Sequence, residues 1–156
     1  MDHEELEKIK RFMVLSRAAA SLSKDRSTKL GAIILGEGFE VRAMGYNGFP
    51  RGVCDDVPDR HERPLKYLFT EHAERNAIYN AARVGTPLSG CRLLLDSPIP
   101  ICPDCARAII NVGIRQVVIL RRKDSDSDRQ LRWEAGDEVS LVMFREAGVE
   151  VVGIDE

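Results

Sequence analysis

No stretch of this 156-residue chain offers the roughly 18 consecutive apolar residues that a membrane span needs. No internal repeat and no low-complexity tract interrupts it, so a repeat array is not expected. Positive charge is not in excess: 23 Lys and Arg stand against 25 Asp and Glu, a formal net charge of −2. That balance lacks the basic surplus on which counterion release and nucleic-acid affinity depend. A few local cations would still suffice for a small anionic ligand. Cysteine is scarce, with four residues, and the start Met1-Asp2-His3-Glu4-Glu5 is acidic and polar, unlike a secretory signal. Reduced thiols and metal binding are expected in place of a disulfide framework. The expected compartment is the cytoplasm, and the expected organisation is one domain over 1–156, long enough to bury a core.

Leu6, Ile9, Phe12-Met13, Ser16 and Ala19-Ala20 recur at helical spacing, which predicts an amphipathic first helix ending before Lys24-Asp25. Leu30 to Leu35 and Glu40 to Gly45 are short β-rich runs around the turn Gly36-Glu37-Gly38. Tyr46 to Thr70 carries prolines, glycines and many charges, and a loop of that length is usually functional. A helix from His72 to Val84 with Gly85 as its stop follows, then a strand from Cys91 to Asp96 and a helix from Cys102 to Val112. Arg115 to Arg121 and Val149 to Ile154 are the remaining strands. Between them lie a charged connector (Lys123 to Arg129) and a helical region from Gln130 to Ala147, with a break expected at Gly136-Asp137. Strands alternating with helices imply right-handed crossovers with helices on both sheet faces. The fold class is therefore an α/β, three-layer α/β/α sandwich around a five-stranded mixed sheet.

The chain is organised around Thr70-Glu71-His72-Ala73-Glu74-Arg75-Asn76-Ala77-Ile78. His72 and Glu74 fall in a first helical turn, where free N–H groups and the positive dipole end favour a metal's anionic ligands or a carboxylate. Cys102-Pro103-Asp104-Cys105 begins 30 positions after His72 and opens a second helix. One imidazole and two thiolates leave the fourth tetrahedral position of a zinc ion open, the catalytic arrangement. Such a zinc lowers the pKa of its water from about 15.7 to 7. Glu74 is the unligated carboxylate beside that position, suited to carrying protons. The competing readings are a closed zinc site, with Cys91 or Cys54 as fourth ligand, and a redox dithiol, which has no need of His72 and Glu74.

His72-Ala73-Glu74 followed by Pro100-Ile101-Cys102-Pro103-Asp104-Cys105 resembles the signature of the zinc-dependent cytidine and deoxycytidylate deaminases. Ser23-Lys24-Asp25 and Gly45-Tyr46-Asn47-Gly48 extend the resemblance, which runs from about residue 10 to residue 154. It implies the cytidine-deaminase fold with the fifth strand parallel to the fourth, a zinc cofactor, and a nucleotide substrate. It also implies homo-oligomeric assembly, with neither nucleic acid nor membrane as partner. The implied reaction is hydrolytic deamination of a cytosine nucleotide, dCMP to dUMP plus ammonia. The alternatives are another base or nucleoside (modified dCMP, free cytidine, tRNA adenosine) or a non-catalytic zinc assembly domain.

By resemblance Asn47 holds the substrate's sugar and base edge, although Asn-Gly is also a strong turn dipeptide. Lys24 and Arg26 lie where the family approaches the 5′ phosphate, with Arg51 a further candidate. Arg83 sits where regulated members bind an effector, although a cation also suits a helix C-terminus. Cys54 matches a position that helps hold a second zinc in some phage enzymes, or is a plain free thiol. Trp133, in an insertion over about 128–137, either covers the pocket or packs on a neighbouring subunit. Ile101 stands directly before Cys102 where the family carries proline, with Pro100 one earlier.

Overall fold

The computed structural model describes residues 2–97, 101–121 and 138–155. The expectations placed on Pro100, on the connector after Lys123, on Trp133 and its insertion, and on the break at Gly136-Asp137 lie outside the described residues. Helix α1 (His3–Ser21) starts where the Asp2 carboxylate accepts the Glu5 N–H. Strands β1 (Gly31–Leu35) and β2 (Val41–Tyr46) form the expected hairpin. The long segment before His72 is less open than its composition suggests: it holds a 3₁₀ turn (Pro58–His61) and a one-turn helix α2 (Lys66–Phe69). Helix α3 (Ala73–Val84), β3 (Arg92–Ser97), α4 (Pro103–Asn111) and β4 (Gln116–Arg121) follow. A last helix α5, described over 138–146, precedes β5 (Glu150–Asp155). Among the described residues no helix is long and apolar enough to cross a membrane.

The strands lie in the order β2-β1-β3-β4-β5. β1 is antiparallel to β2 and β3, whereas β3, β4 and β5 run parallel. The sheet is mixed, and its fifth strand parallels its fourth, as expected. Alternation along the central strands separates two cores. Ile33, Leu35, Leu94, Val118 and Leu120 pack with Ile9 and Met13 of α1 on one face. Ala32, Ile34, Leu93, Leu95 and Val117 pack with α3, α4 and Phe144 of α5 on the other. The grouping follows from handedness: β3, β4 and β5 march in one direction, so right-handed crossovers put α4 and α5 on one face. That leaves the opposite face to α1.

Two glycines permit unusually close approach of helix to strand. A Cβ on Gly31 would strike the backbone of Ser16 and Ala20 in α1, and one on Gly45 would overlap Ala77 N and lie 2.5 Å from Ala73 O in α3. Gly45 therefore sets how closely the helix carrying Glu74 rests on β2. Two asparagines complete that contact, with Asn76 Nδ2 donating to Tyr46 O (2.8 Å) and Asn80 Nδ2 to Met44 O (2.7 Å). They satisfy outward carbonyls on an edge strand, which otherwise invite pairing with another chain. Gly45→Ala should lower unfolding stability by about 1–3 kcal/mol, the usual range for overpacking against backbone. Denaturant titration reads it; an unchanged midpoint would mean that α3 can lift off β2 freely.

Candidate active site

His72 is the N-cap of α3, with extended backbone (φ −79°, ψ 154°), rather than a first-turn residue. Cys102 is likewise the N-cap of α4 (φ −70°, ψ 159°), and Pro103 follows in the first turn, where its missing N–H costs nothing. Cys105 lies in that turn, fully buried. The two helix starts converge. His72 Nδ1 is 3.4 Å from Cys102 Sγ and 3.5 Å from Cys105 Sγ. A tetrahedral zinc with ordinary Zn–N and Zn–S bonds needs an N···S edge of about 3.6 Å, so the donor set fits that ion. All three donor atoms lie within 4.8 Å of one another, and among the described residues no other His, Cys, Asp or Glu donor joins them.

The candidate fourth ligands lie elsewhere. Cys91 is in the core, its Sγ turned to Pro87 O at 4.0 Å, and Cys54 is exposed on the long loop; both are free thiols. The geometry favours an open fourth position.

Glu74 lies in the first turn of α3, 4% exposed, and among the described residues its Oε2 has no hydrogen-bond partner. Burial pushes its carboxyl pKa up, while the His72 imidazole pulls it down. An unmet buried carboxylate oxygen is costly, and a water at the open position of the metal would meet it. The donors themselves share protons. Cys102 is pulled down to about 4, first by its hydrogen bond with Cys105 and then by His72; Cys105, which donates, is pushed up. Cys102 in turn raises His72 to about 8. A thiolate beside an imidazolium is a donor set primed to exchange protons for a cation.

A clamp not expected from the sequence ties the two helix starts together. Arg75 pairs with Glu71 at 2.5 Å and reaches Asp104 of α4 at 3.7 Å, while Glu71 Oε1 accepts the His72 N–H at 2.9 Å. The Glu71–Arg75 spacing of four was the available signal.

Beside this centre a cavity is lined by Lys24, Asp25, Tyr46, Phe49, His61 and Lys66, among others. It adjoins His72 through the two backbone hydrogen bonds that pair Gly48 with Glu71. Asn47, between the lining residues Tyr46 and Gly48, is buried and does not line the cavity; its side chain serves the turn: Oδ1 accepts from Leu30 N–H (2.8 Å) and Nδ2 donates to Thr28 O (2.8 Å). Lys24 faces the cavity but is paired with Asp55. Arg26 is exposed on the same loop. Arg51 Nη2 donates to Asn80 Oδ1 (2.6 Å), which ties the loop to α3. Arg83 is exposed in the last turn of α3, a place that suits the helix dipole. The cavity's buried cation is Lys66, bound to Asp25. No local pattern announces it, because its partner is 41 residues away.

Residues 6–121 match the cytidine and deoxycytidylate deaminase zinc-binding region. The chain belongs to the cytidine and deoxycytidylate deaminase family. An uncharacterized deaminase of the luxG 3′ region in Aliivibrio fischeri is 42% identical over 142 residues, covering 91% of this chain and 90% of that protein. Human deoxycytidylate deaminase is 37% identical over 143 residues, covering 88% of this chain and 74% of the human one. Among solved structures, the dCMP deaminase of cyanophage S-TIM5 in complex with dCMP and dUMP superposes with a TM-score of 0.64 at 25% identity, over 99% of both chains.

Ile101, directly before Cys102, has a structural role of its own. Ile101 is 3% exposed and, just before the α4 N-cap, shares the core with Ala106. Those are the N′ and N4 positions of a hydrophobic staple, which fixes the angle at which the chain enters the helix.

Proposed function

We propose that this chain hydrolyses the 4-amino group of dCMP, giving dUMP and ammonia. The observation that carries the reading is the convergence of His72, Cys102 and Cys105 beside the buried Glu74, whose Oε2 has no partner among the described residues. His72, Cys102 and Cys105 would hold zinc, which when bound makes water a nucleophile at neutral pH. Glu74 supplies the proton path. Its raised carboxyl pKa suits a group that takes a proton from water on Oε2 and gives it to the ring nitrogen. It then takes the second proton from the hydroxyl added at carbon 4 and gives it to the amino group, which leaves as ammonia while the carbonyl forms. Arg75 holds the two ligand-bearing helix starts together through Glu71 and Asp104. The curated relatives named deoxycytidylate deaminase support the choice of base, and the net charge of −2 weighs against a tRNA substrate.

A panel of dCMP, dCTP, deoxycytidine, cytosine and adenosine nucleotides, followed by ammonia release at neutral pH, tests the reading. Ammonia from dCMP in preference to the others is expected; ammonia only from an adenosine substrate would overturn it. Lys24 and Arg26 are the proposed phosphate contacts. The Lys24→Ala/Arg26→Ala double variant should raise KM for dCMP by about tenfold, the scale of one charge-assisted hydrogen bond, while leaving deoxycytidine unaffected. Equal effects on both substrates would remove the phosphate assignment.

A further inference from the structure

Two lysines face the cavity beside the zinc ligands, and they are held in different ways. Lys66 is buried, with Nζ 3.0 and 2.8 Å from the two Asp25 carboxylate oxygens and 2.6 Å from Ser27 Oγ. Asp25 also accepts the N–H groups of Ser27 (2.8 Å) and Thr28 (3.0 Å). Opening that pair would strand a buried charge, so its ammonium is committed. Lys24 has a looser bond. Its Nζ lies 3.0 and 2.8 Å from the Asp55 oxygens, at side-chain exposures of 69% and 30%. Exposed pairs of this kind are weak and exchange readily.

Asp55 nevertheless comes from a braced loop. Its carbonyl accepts a hydrogen bond from His61 Nε2 (2.6 Å), His61 stacks on Phe49 (4.8 Å), and Phe49 stacks on Phe69 (5.5 Å). A carboxylate oxygen held 2.8 Å from an ammonium occupies the place a phosphate oxygen would take, since both make the same short charge-assisted bond.

We propose that Asp55 is a resident counter-ion on Lys24, displaced by the anionic group of the substrate, so that it sets the discrimination between nucleotide and nucleoside. This rests on the dCMP reading above. Asp55 competes with every incoming nucleotide and with no nucleoside. Relief of that competition is worth about two- to fivefold in apparent affinity, the range measured for exposed pairs.

The test uses the zinc-loaded enzyme and its Asp55→Asn and Asp56→Asn variants, with inorganic phosphate as a second probe. Asp55→Asn should lower KM for dCMP and Kd for phosphate, measured by calorimetry, by about two- to fivefold, with kcat unchanged. Asp56→Asn, which removes a neighbouring charge that acts on Lys24 only through its field and after the Asp55 contribution, should lower both KM and Kd by less than Asp55→Asn does. In a Lys24→Ala background the gain from Asp55→Asn should vanish. A wild type active on dCMP whose Asp55→Asn variant shows unchanged or weaker binding of both probes overturns the inference and spares the substrate reading. Equal gains from Asp56→Asn also overturn it, because they would report the general field of the loop. A wild type that releases no ammonia from dCMP overturns both.

Discussion

Glu74→Gln should retain a full complement of zinc and lose turnover by about 10²–10⁴-fold, the range attributed to a positioned proton carrier. The side chain keeps its size, and the three metal donors are untouched, so metal content separates this outcome from collapse of the site. Stability should move in the opposite direction from activity. Glu74 is 4% exposed, its Oε2 is unpaired among the described residues, and burial opposes its ionisation. A neutral amide of the same shape relieves part of that cost, and sites strained for function commonly gain stability when the strained group is replaced. The melting temperature of the metal-loaded variant should therefore hold or rise. Normal turnover by Glu74→Gln at full zinc occupancy would remove Glu74 from the mechanism. A fallen melting temperature with intact activity would make it a packing residue.

What could be read from the sequence is what short-range chemistry writes. His72 and Cys102 were legible because each opens a helix whose apolar spacing and glycine stop are local, with Gly85 in the left-handed conformation at the end of α3. The strands were legible as short β-rich runs, and β1 and β3, buried along their whole length, as the continuous apolar runs that strands covered on both faces leave. The Asp25–Lys66 pair was not legible, since nothing local joins a loop after α1 to a one-turn helix 41 residues later. Asn47 shows the same limit from the other side. Its dipeptide announces a turn, and the structure spends its amide on Leu30 and Thr28. The bracing of the long loop depends on rings at Phe49, His61 and Phe69 whose spacing follows no secondary-structure period. Lys24 was legible as a cation near the cavity, but the counter-ion that qualifies it, Asp55, lies across the pocket on that loop.

Cys102→Ala should lose zinc and stability together, because binding at such a site is also folding energy. Cys102 is the N-cap of α4 and the thiolate of the donor set, so its loss takes a metal ligand and loosens the junction of α3 with α4. For zinc present at about 1,000 times its Kd, the linked stabilisation is about 4 kcal/mol, or about 8–16 °C in Tm for a chain of this size. Treating the wild type with a chelator should reproduce most of that drop, and treating Cys102→Ala should add nothing. Cys91→Ala supplies the contrast: it removes a core thiol turned towards Pro87, so it should cost about 1 kcal/mol and leave metal content and chelator response as in the wild type. If Cys102→Ala binds zinc stoichiometrically and keeps the chelator response, Cys102 is not a ligand, and the ion must be held by a donor set other than the one formed by these two helix starts.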